Sequence, residues 1–157
     1  MKKRRMLIVD DEEGIRSMLY EYFTSRDFEV VTASDGEEAL RKFVPGSYDL
    51  VISDMMMPHM DGIELLTQIK LMDKNTSFLM ITGFPSIDRA VEAIKLGAHD
   101  FVTKPFHLEE LRIKVERVFS EKKTEASLRN ITNLFWTLII SIPIWLVLGI
   151  ILGIIWK

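Results

Sequence analysis

The sequence has no cysteine, so neither a disulfide framework nor a thiolate metal site is open to it, in keeping with a reducing compartment. It also has no basic excess. Its 20 Lys and Arg stand against 23 Asp and Glu, which argues against nucleic acid as a partner. No long apolar run follows the basic start Met1-Lys-Lys-Arg-Arg5. Met6–Val9 is short and ends in acids, whereas a secretory signal needs about 7 to 15 apolar residues. Finally, no charge occurs between Arg129 and Lys157. One of the 20 basic residues, Lys157, lies beyond that gap, so the body before it carries 19 basic against 23 acidic residues. At 157 residues the chain suits one ordinary domain rather than two.

Within the body, short apolar runs alternate with amphipathic stretches. Met6–Val9, Glu29–Thr32, Leu50–Ser53, Phe78–Ile81 and Phe101–Val102 read as strands. Helical spacing appears in Glu13–Ser25 (Ile15, Leu19, Tyr22, Phe23), from Ser34 through Phe43, from near Asp61 through Lys70, over Ile87–Leu96 with Ala90, Val91 and Ile94 on one face, and over Leu108 to about Lys122. Ser34 with Glu37 reads as a capping box. Five strand–helix units with short connections predict an α/β fold, a doubly wound parallel sheet covered on both faces. Ligands of such sheets bind beyond the carboxyl ends of the strands.

At those ends stand Asp10-Asp11, Asp54, Thr82 and Thr103-Lys104-Pro105. If the strands are neighbours, three carboxylates, a hydroxyl and an ammonium converge on one pocket. Three carboxylates together repel and need a divalent cation, and all-oxygen ligands favour Mg²⁺ or Mn²⁺ over zinc. Lys104 offsets part of the charge as a point donor. His59, His99 and His107 have no metal-type spacing and read as surface residues.

Leu7-Ile-Val-Asp-Asp-Glu12, Asp54-Met-Met-Met-Pro-His-Met-Asp-Gly62, Ile81-Thr-Gly83 and Gly97-Ala-His-Asp-Phe-Val-Thr-Lys-Pro-Phe106 match, in order and spacing, the receiver domain of bacterial response regulators. Residues 6 to about 121 resemble that family. The resemblance implies a flavodoxin-like sheet of order 2-1-3-4-5 with five helices. It implies that Asp54 takes a phosphoryl group from a histidine kinase or phosphotransfer protein. Asp11 then binds Mg²⁺ directly, Asp10 binds it through water, and the Met56 backbone carbonyl completes the metal site. Thr82 closes on the phosphoryl oxygens, Lys104 pairs with Asp54, Phe101 is the switch aromatic, and Lys104-Pro105 is cis. Such a domain is a phosphoacceptor that assists its own phosphorylation rather than an enzyme. Met56 and Phe84 flank the path of a hydrolytic water. Both are apolar, so hydrolysis of the aspartyl phosphate is expected to be slow. Gly83 keeps the approach to Asp54 open for a donor.

Leu134–Trp156 is 23 residues without a charge, about 35 Å as a helix. Trp136 and Trp156 stand near its ends as interface anchors do, and Pro143 predicts a kink. A single transmembrane helix over 134–156 is expected, joined to a receiver domain over 1–121 by residues 122–133 as a linker or an extension of the fifth helix. Lys122, Lys123 and Arg129 precede the span and only Lys157 follows it. This puts the receiver on the cytoplasmic side of a bacterial inner membrane. Gly149 and Gly153 form a GxxxG spacing that suits a homodimer through the tail. The dozen residues before the span leave no room for an output domain, so an unidentified downstream protein is expected to read the signal. Two alternatives remain: a membrane adaptor that is never phosphorylated, and a sink that drains phosphate from a kinase.

Overall fold

The computed structural model describes residues 3–83 and 86–124, together with 132, 135–137, 139 and 140. Two compact units divide the chain, Met1–Glu116 and Arg117–Lys157. The first is built on the apolar runs. β1 (Arg4–Val9), β2 (Phe28–Ala33), β3 (Leu50–Asp54), β4 (Ser77–Thr82) and β5 (Asp100–Thr103) form one sheet in the order β2-β1-β3-β4-β5, and every pairing is parallel. Met6–Val9, β3 and β4 are buried along their whole length. That is why these strands read as unbroken apolar runs rather than as alternation. The edge strands β2 and β5 are only partly buried.

Helices cover both faces. α1 (Glu13–Thr24) buries Leu19 and Phe23, and α3 (Gly62–Met72) buries Ile63, Leu65, Leu66 and Ile69. Each such side chain contributes about 1.5–3 kcal/mol. α2 (Gly36–Lys42) is seven residues long, too short to persist alone. It is held through Ala39 in the core and through Phe43, whose ring stacks on Tyr48 at 5.6 Å. α4 (Ile87–Lys95) buries only Ala93, while Val91 and Ile94, which the helical spacing sets on one face with Ala90, are each 46% exposed. α5 begins at 108 within the first unit, and its helical residues run to 124.

The cap of α2 differs from expectation by one residue. Asp35, not Ser34, is the N-cap and accepts from the Glu38 amide, while the Glu38 carboxylate reaches back to the Ser34 amide and hydroxyl. Acids at both 37 and 38 make the two registers indistinguishable in sequence. The helix starts at Gly36, which selects Glu38. At α3 a reciprocal box forms between Asp61 and Glu64.

Beyond residue 116 the described residues are helical at 117–124, 132, 135–137, 139 and 140, and Phe135, Trp136, Ile139 and Ile140 are exposed. Among the described residues no helix is long and apolar enough to cross a membrane. The expected span over 134–156, including Trp156, Pro143 and the Gly149–Gly153 spacing, lies outside the described residues except at 135–137, 139 and 140.

Candidate functional site

Parallel register brings the strand ends level. Val9 pairs with Ser53, Asp54 with Ile81, and Thr82 with Thr103. The residues at or just past those ends, Asp10, Asp54, Thr82 and Lys104, therefore fall along one edge of the sheet. Asp10 is 1% exposed and Asp54 5%, so water screens neither carboxylate well. Around the first, the Asp10 amide donates to the Ala33 carbonyl, Oδ1 accepts from the Glu12 amide at 2.9 Å, and Arg16 donates to the carbonyls of Asp10 and Asp11. The 10–12 turn is thereby tied to both β2 and α1.

Around Asp54 the backbone is equally constrained. The Met55 amide donates to the Ile81 carbonyl at 2.7 Å, and Ser53 Oγ donates to the Asp54 carbonyl at 2.8 Å. Asp54 Oδ1 accepts from the Met56 amide at 3.2 Å. Gly62, the first residue of α3, donates its amide to the Met55 carbonyl, and a Cβ there would lie 2.3 Å from the Asp54 carbonyl oxygen. Only glycine allows so close an approach.

Lys104 joins the pieces. Its Nζ donates to Asp54 Oδ2 at 2.6 Å, Asp10 Oδ2 at 2.9 Å and Glu12 Oε1 at 3.0 Å. Its amide donates to the Thr82 carbonyl, and the Lys104-Pro105 peptide is cis. Burial works against the ammonium, but its bonds to Asp54, Asp10 and Glu12 outweigh that and raise its pKa. For Asp10 the balance is reversed. Burial raises its pKa, and the bonds from Lys104 and the Glu12 amide only partly offset this. An ammonium and a backbone amide thus hold two buried carboxylates together, with the second oxygen of Asp54 engaged by the 55–56 turn.

Of the residues expected at the site, Asp10, Asp54 and Lys104 are drawn into one network. Thr82 is buried at the neighbouring strand end, and Phe101 packs, partly buried, against the core. Asp11 is exposed and is not among the carboxylates that Lys104 bonds. Met56 is 50% exposed and contributes its amide. Phe84 lies outside the described residues. Glu12 was not anticipated. Oxygens of Asp10, Glu12 and Asp54 lie within 4.8 Å of one another. The sequence signal was the third acid after β1, easily taken for the start of α1. This donor set is all carboxylate, mostly buried and convergent, and it fits a hard divalent cation such as Mg²⁺.

Comparison with known proteins agrees with this geometry. Residues 6–116 match the response regulator receiver domain. Sporulation initiation phosphotransferase F of Bacillus subtilis is 37% identical over 117 residues, covering 74% of this chain and 94% of that protein. Regulatory protein AtoC of Escherichia coli is 37% identical over 127 residues, 81% of this chain. The alkaline phosphatase synthesis transcriptional regulatory protein PhoP of Bacillus subtilis is 35% identical over 130 residues, 83% of this chain. The chain spans only 28% and 54% of the lengths of AtoC and PhoP, respectively. A crystal structure of a receiver domain protein from Clostridium thermocellum superposes with a TM-score of 0.72 at 32% identity, covering 77% of this chain and 98% of the other. The chain belongs to the response regulator receiver domain family.

Proposed function

We propose that Asp54 is the phosphoacceptor of a two-component signalling receiver, taking the phosphoryl group from a phosphohistidine on a histidine kinase or phosphotransfer protein. The observation that carries this is the Lys104–Asp54 contact at 2.6 Å beside a second buried carboxylate, Asp10. Lys104 pairs with one Asp54 oxygen and the Met56 amide with the other, so the carboxylate is oriented toward the pocket. In the transfer an Asp54 oxygen forms a bond to phosphorus, the phosphorus–nitrogen bond of the phosphohistidine breaks, and the imidazole nitrogen keeps the electron pair and takes a proton. The transition state is loose, so catalysis is mainly positioning and charge neutralisation. Asp10, Asp11, Asp54 and the Met56 carbonyl would hold Mg²⁺, with Glu12 as a further carboxylate. The ion would supply neutralisation of the phosphoryl oxygens.

Lys104 keeps the acidic pocket from repelling an anionic donor. Thr82, buried at the end of β4, and Phe101, on β5 beside it, are the elements through which the phosphorylated state would shift the packing near α4. The domain assists its own phosphorylation and slow hydrolysis and has no separate substrate. For the apolar segment 134–156 we propose a membrane span that tethers the receiver on the cytoplasmic side of a bacterial inner membrane, signalling through a partner protein. Its support is the run of 23 uncharged residues and the excess of Lys and Arg before it. Incubation with acetyl phosphate and Mg²⁺ followed by intact mass spectrometry tests the central proposal: one added phosphoryl group is expected, and an unmodified protein overturns it. Fractionation of cells expressing the full chain tests the tether, which fails if the protein is recovered without detergent.

A further inference from the structure

We infer that Arg89, on α4, is a positioning residue that holds Met56 at the mouth of the Asp54 pocket and so sets the lifetime of the aspartyl phosphate, an inference that rests on Asp54 being the phosphoacceptor. Arg89 lies outside every motif quoted above. Its guanidinium reaches two elements at once. One nitrogen donates to Asp61 Oδ2 at 2.5 Å, and the other donates to Met56 Sδ at 2.9 Å. Asp61 is itself fixed, because its other oxygen, Oδ1, accepts from the amides of Ile63 and Glu64 and caps α3. The guanidinium is thus anchored on a rigid helix start and presents its free edge to the thioether. The pair is only part-exposed, 34% at Arg89 and 29% at Asp61, and Arg89 is the only cation that the described contacts bring to either residue.

Met56 matters because of what its backbone does. Its amide is the second donor to Asp54, on Oδ1, so the residue held by Arg89 is in direct contact with the reacting carboxylate. Met56 is half exposed and, among the described residues, is not part of the buried core cluster. A methionine with three rotatable bonds samples many rotamers unless something holds the sulfur. Arg89 supplies that restraint, weakly as a donor to sulfur but in a geometry set by the Asp61 ion pair. Held in this way, the apolar chain stands between bulk water and the phosphoryl site, and it offers nothing to orient an attacking water. The latch also connects α4 to the β3–α3 turn, so a displacement of α4 loosens Met56.

The test compares wild type, Arg89→Ala, Met56→Ala and the double variant after phosphorylation with acetyl phosphate and Mg²⁺, following decay of the phosphorylated mass. Each single variant is expected to lose the phosphoryl group several-fold faster than wild type. The double variant is expected to decay no faster than Met56→Ala alone, because Arg89 acts through Met56. Decay unchanged in Arg89→Ala, or effects that multiply in the double variant, overturn the inference. A second measurement needs no phosphorylation. In protein labelled at methionine methyl carbons, the Met56 resonance (assigned through Met56→Leu) should shift toward its averaged position in both Arg89→Ala and Asp61→Asn. The latter keeps the capping oxygen but loses the charge. A Met56 signal identical to wild type in both variants overturns the latch whatever the phosphorylation result. A wild type that gains no phosphoryl group while its Met56 signal responds refutes the phosphoacceptor proposal and the lifetime role with it, leaving only the contact.

Discussion

Lys104 and Asp54, 50 positions apart in the chain, meet at 2.6 Å across the ends of β3 and β5. The contact neutralises a carboxylate that is almost wholly shielded from water, and the same ammonium serves Asp10. Lys104→Met leaves both carboxylates buried and unpaired. Removing one partner of a buried pair costs about 3 kcal/mol, the lower end of the usual range, which suits a lysine that is 16% exposed. We expect urea denaturation at neutral pH to show that loss. It should shrink in mild acid, as protonation of Asp10 removes the repulsion. Phosphorylation by acetyl phosphate should slow at least tenfold, since about 1.4 kcal/mol of lost transition-state stabilisation gives that factor.

Two carboxylates near the strand-end edge should give opposite pH signatures. Bonds from Lys42 and from the Ser34 amide and hydroxyl lower the Glu38 pKa from 4.5 to about 2. A depressed carboxylate stabilises the fold above its unfolded pKa, and that contribution disappears as pH falls toward the folded value. Glu38→Gln is therefore expected to be less stable than wild type by about 1 kcal/mol at neutral pH, a typical capping contribution, with the gap closing between pH 4.5 and about 2. Burial raises the Asp10 pKa above 3.8, so the folded state binds that proton more tightly and stability falls as pH rises through the shifted value. Asp10→Asn should thus melt higher than wild type at neutral pH, with the difference narrowing in acid. Thermal melts across a pH series check both signs.

Gly62 permits an approach that no other residue allows. Its Cβ position is 2.3 Å from the Asp54 carbonyl oxygen and 2.9 Å from Met55 Cα, both backbone atoms. Gly62→Ala must displace α3 or the Asp54–Met55 backbone and is expected to cost about 3 kcal/mol, the upper end for overpacking, and, on the proposed role of Asp54, to slow phosphorylation. Gly14, in the first turn of α1, has nothing within 4 Å of its Cβ position. Gly14→Ala should instead stabilise by about 0.5 kcal/mol through the unfolded state. Parallel melts of the two variants test the contrast.

Mg²⁺ should raise the melting temperature by mass action, and EDTA should reverse the rise. Asp11 is exposed, and Glu12 accepts from Lys104. If Asp11 is the direct ligand, Asp11→Asn abolishes the Mg²⁺ response while Glu12→Gln only weakens it. The reverse order would assign the metal to the cluster as it stands around Lys104. Melting curves over a Mg²⁺ titration distinguish the two.

The strands were legible because central strands buried on both faces leave unbroken apolar runs such as Met6–Val9 and Leu50–Ser53, whereas their order β2-β1-β3-β4-β5 followed only from the family resemblance, since apolar runs do not encode which strands are neighbours. Asp10, Asp54, Thr82 and Lys104 were legible because each ends or follows one of those runs. Glu12 and Arg89 were not. Glu12 sits where an acid is ordinary, before the first turn of a helix. Arg89 sits on a helix whose partners, Asp61 and Met56, are 28 and 33 residues away. Contacts of that kind depend on where α4 packs, which periodicity does not encode. The register of the α2 cap failed for a simpler reason, since Glu37 and Glu38 offer the same chemistry one residue apart.

The most direct test of phosphoacceptance at Asp54 is intact mass spectrometry of wild type and Asp54→Asn, side by side, after acetyl phosphate with Mg²⁺. We predict one phosphoryl group on wild type and none on Asp54→Asn. Equal modification of both proteins, or of neither, contradicts the assignment of Asp54 as the phosphoacceptor.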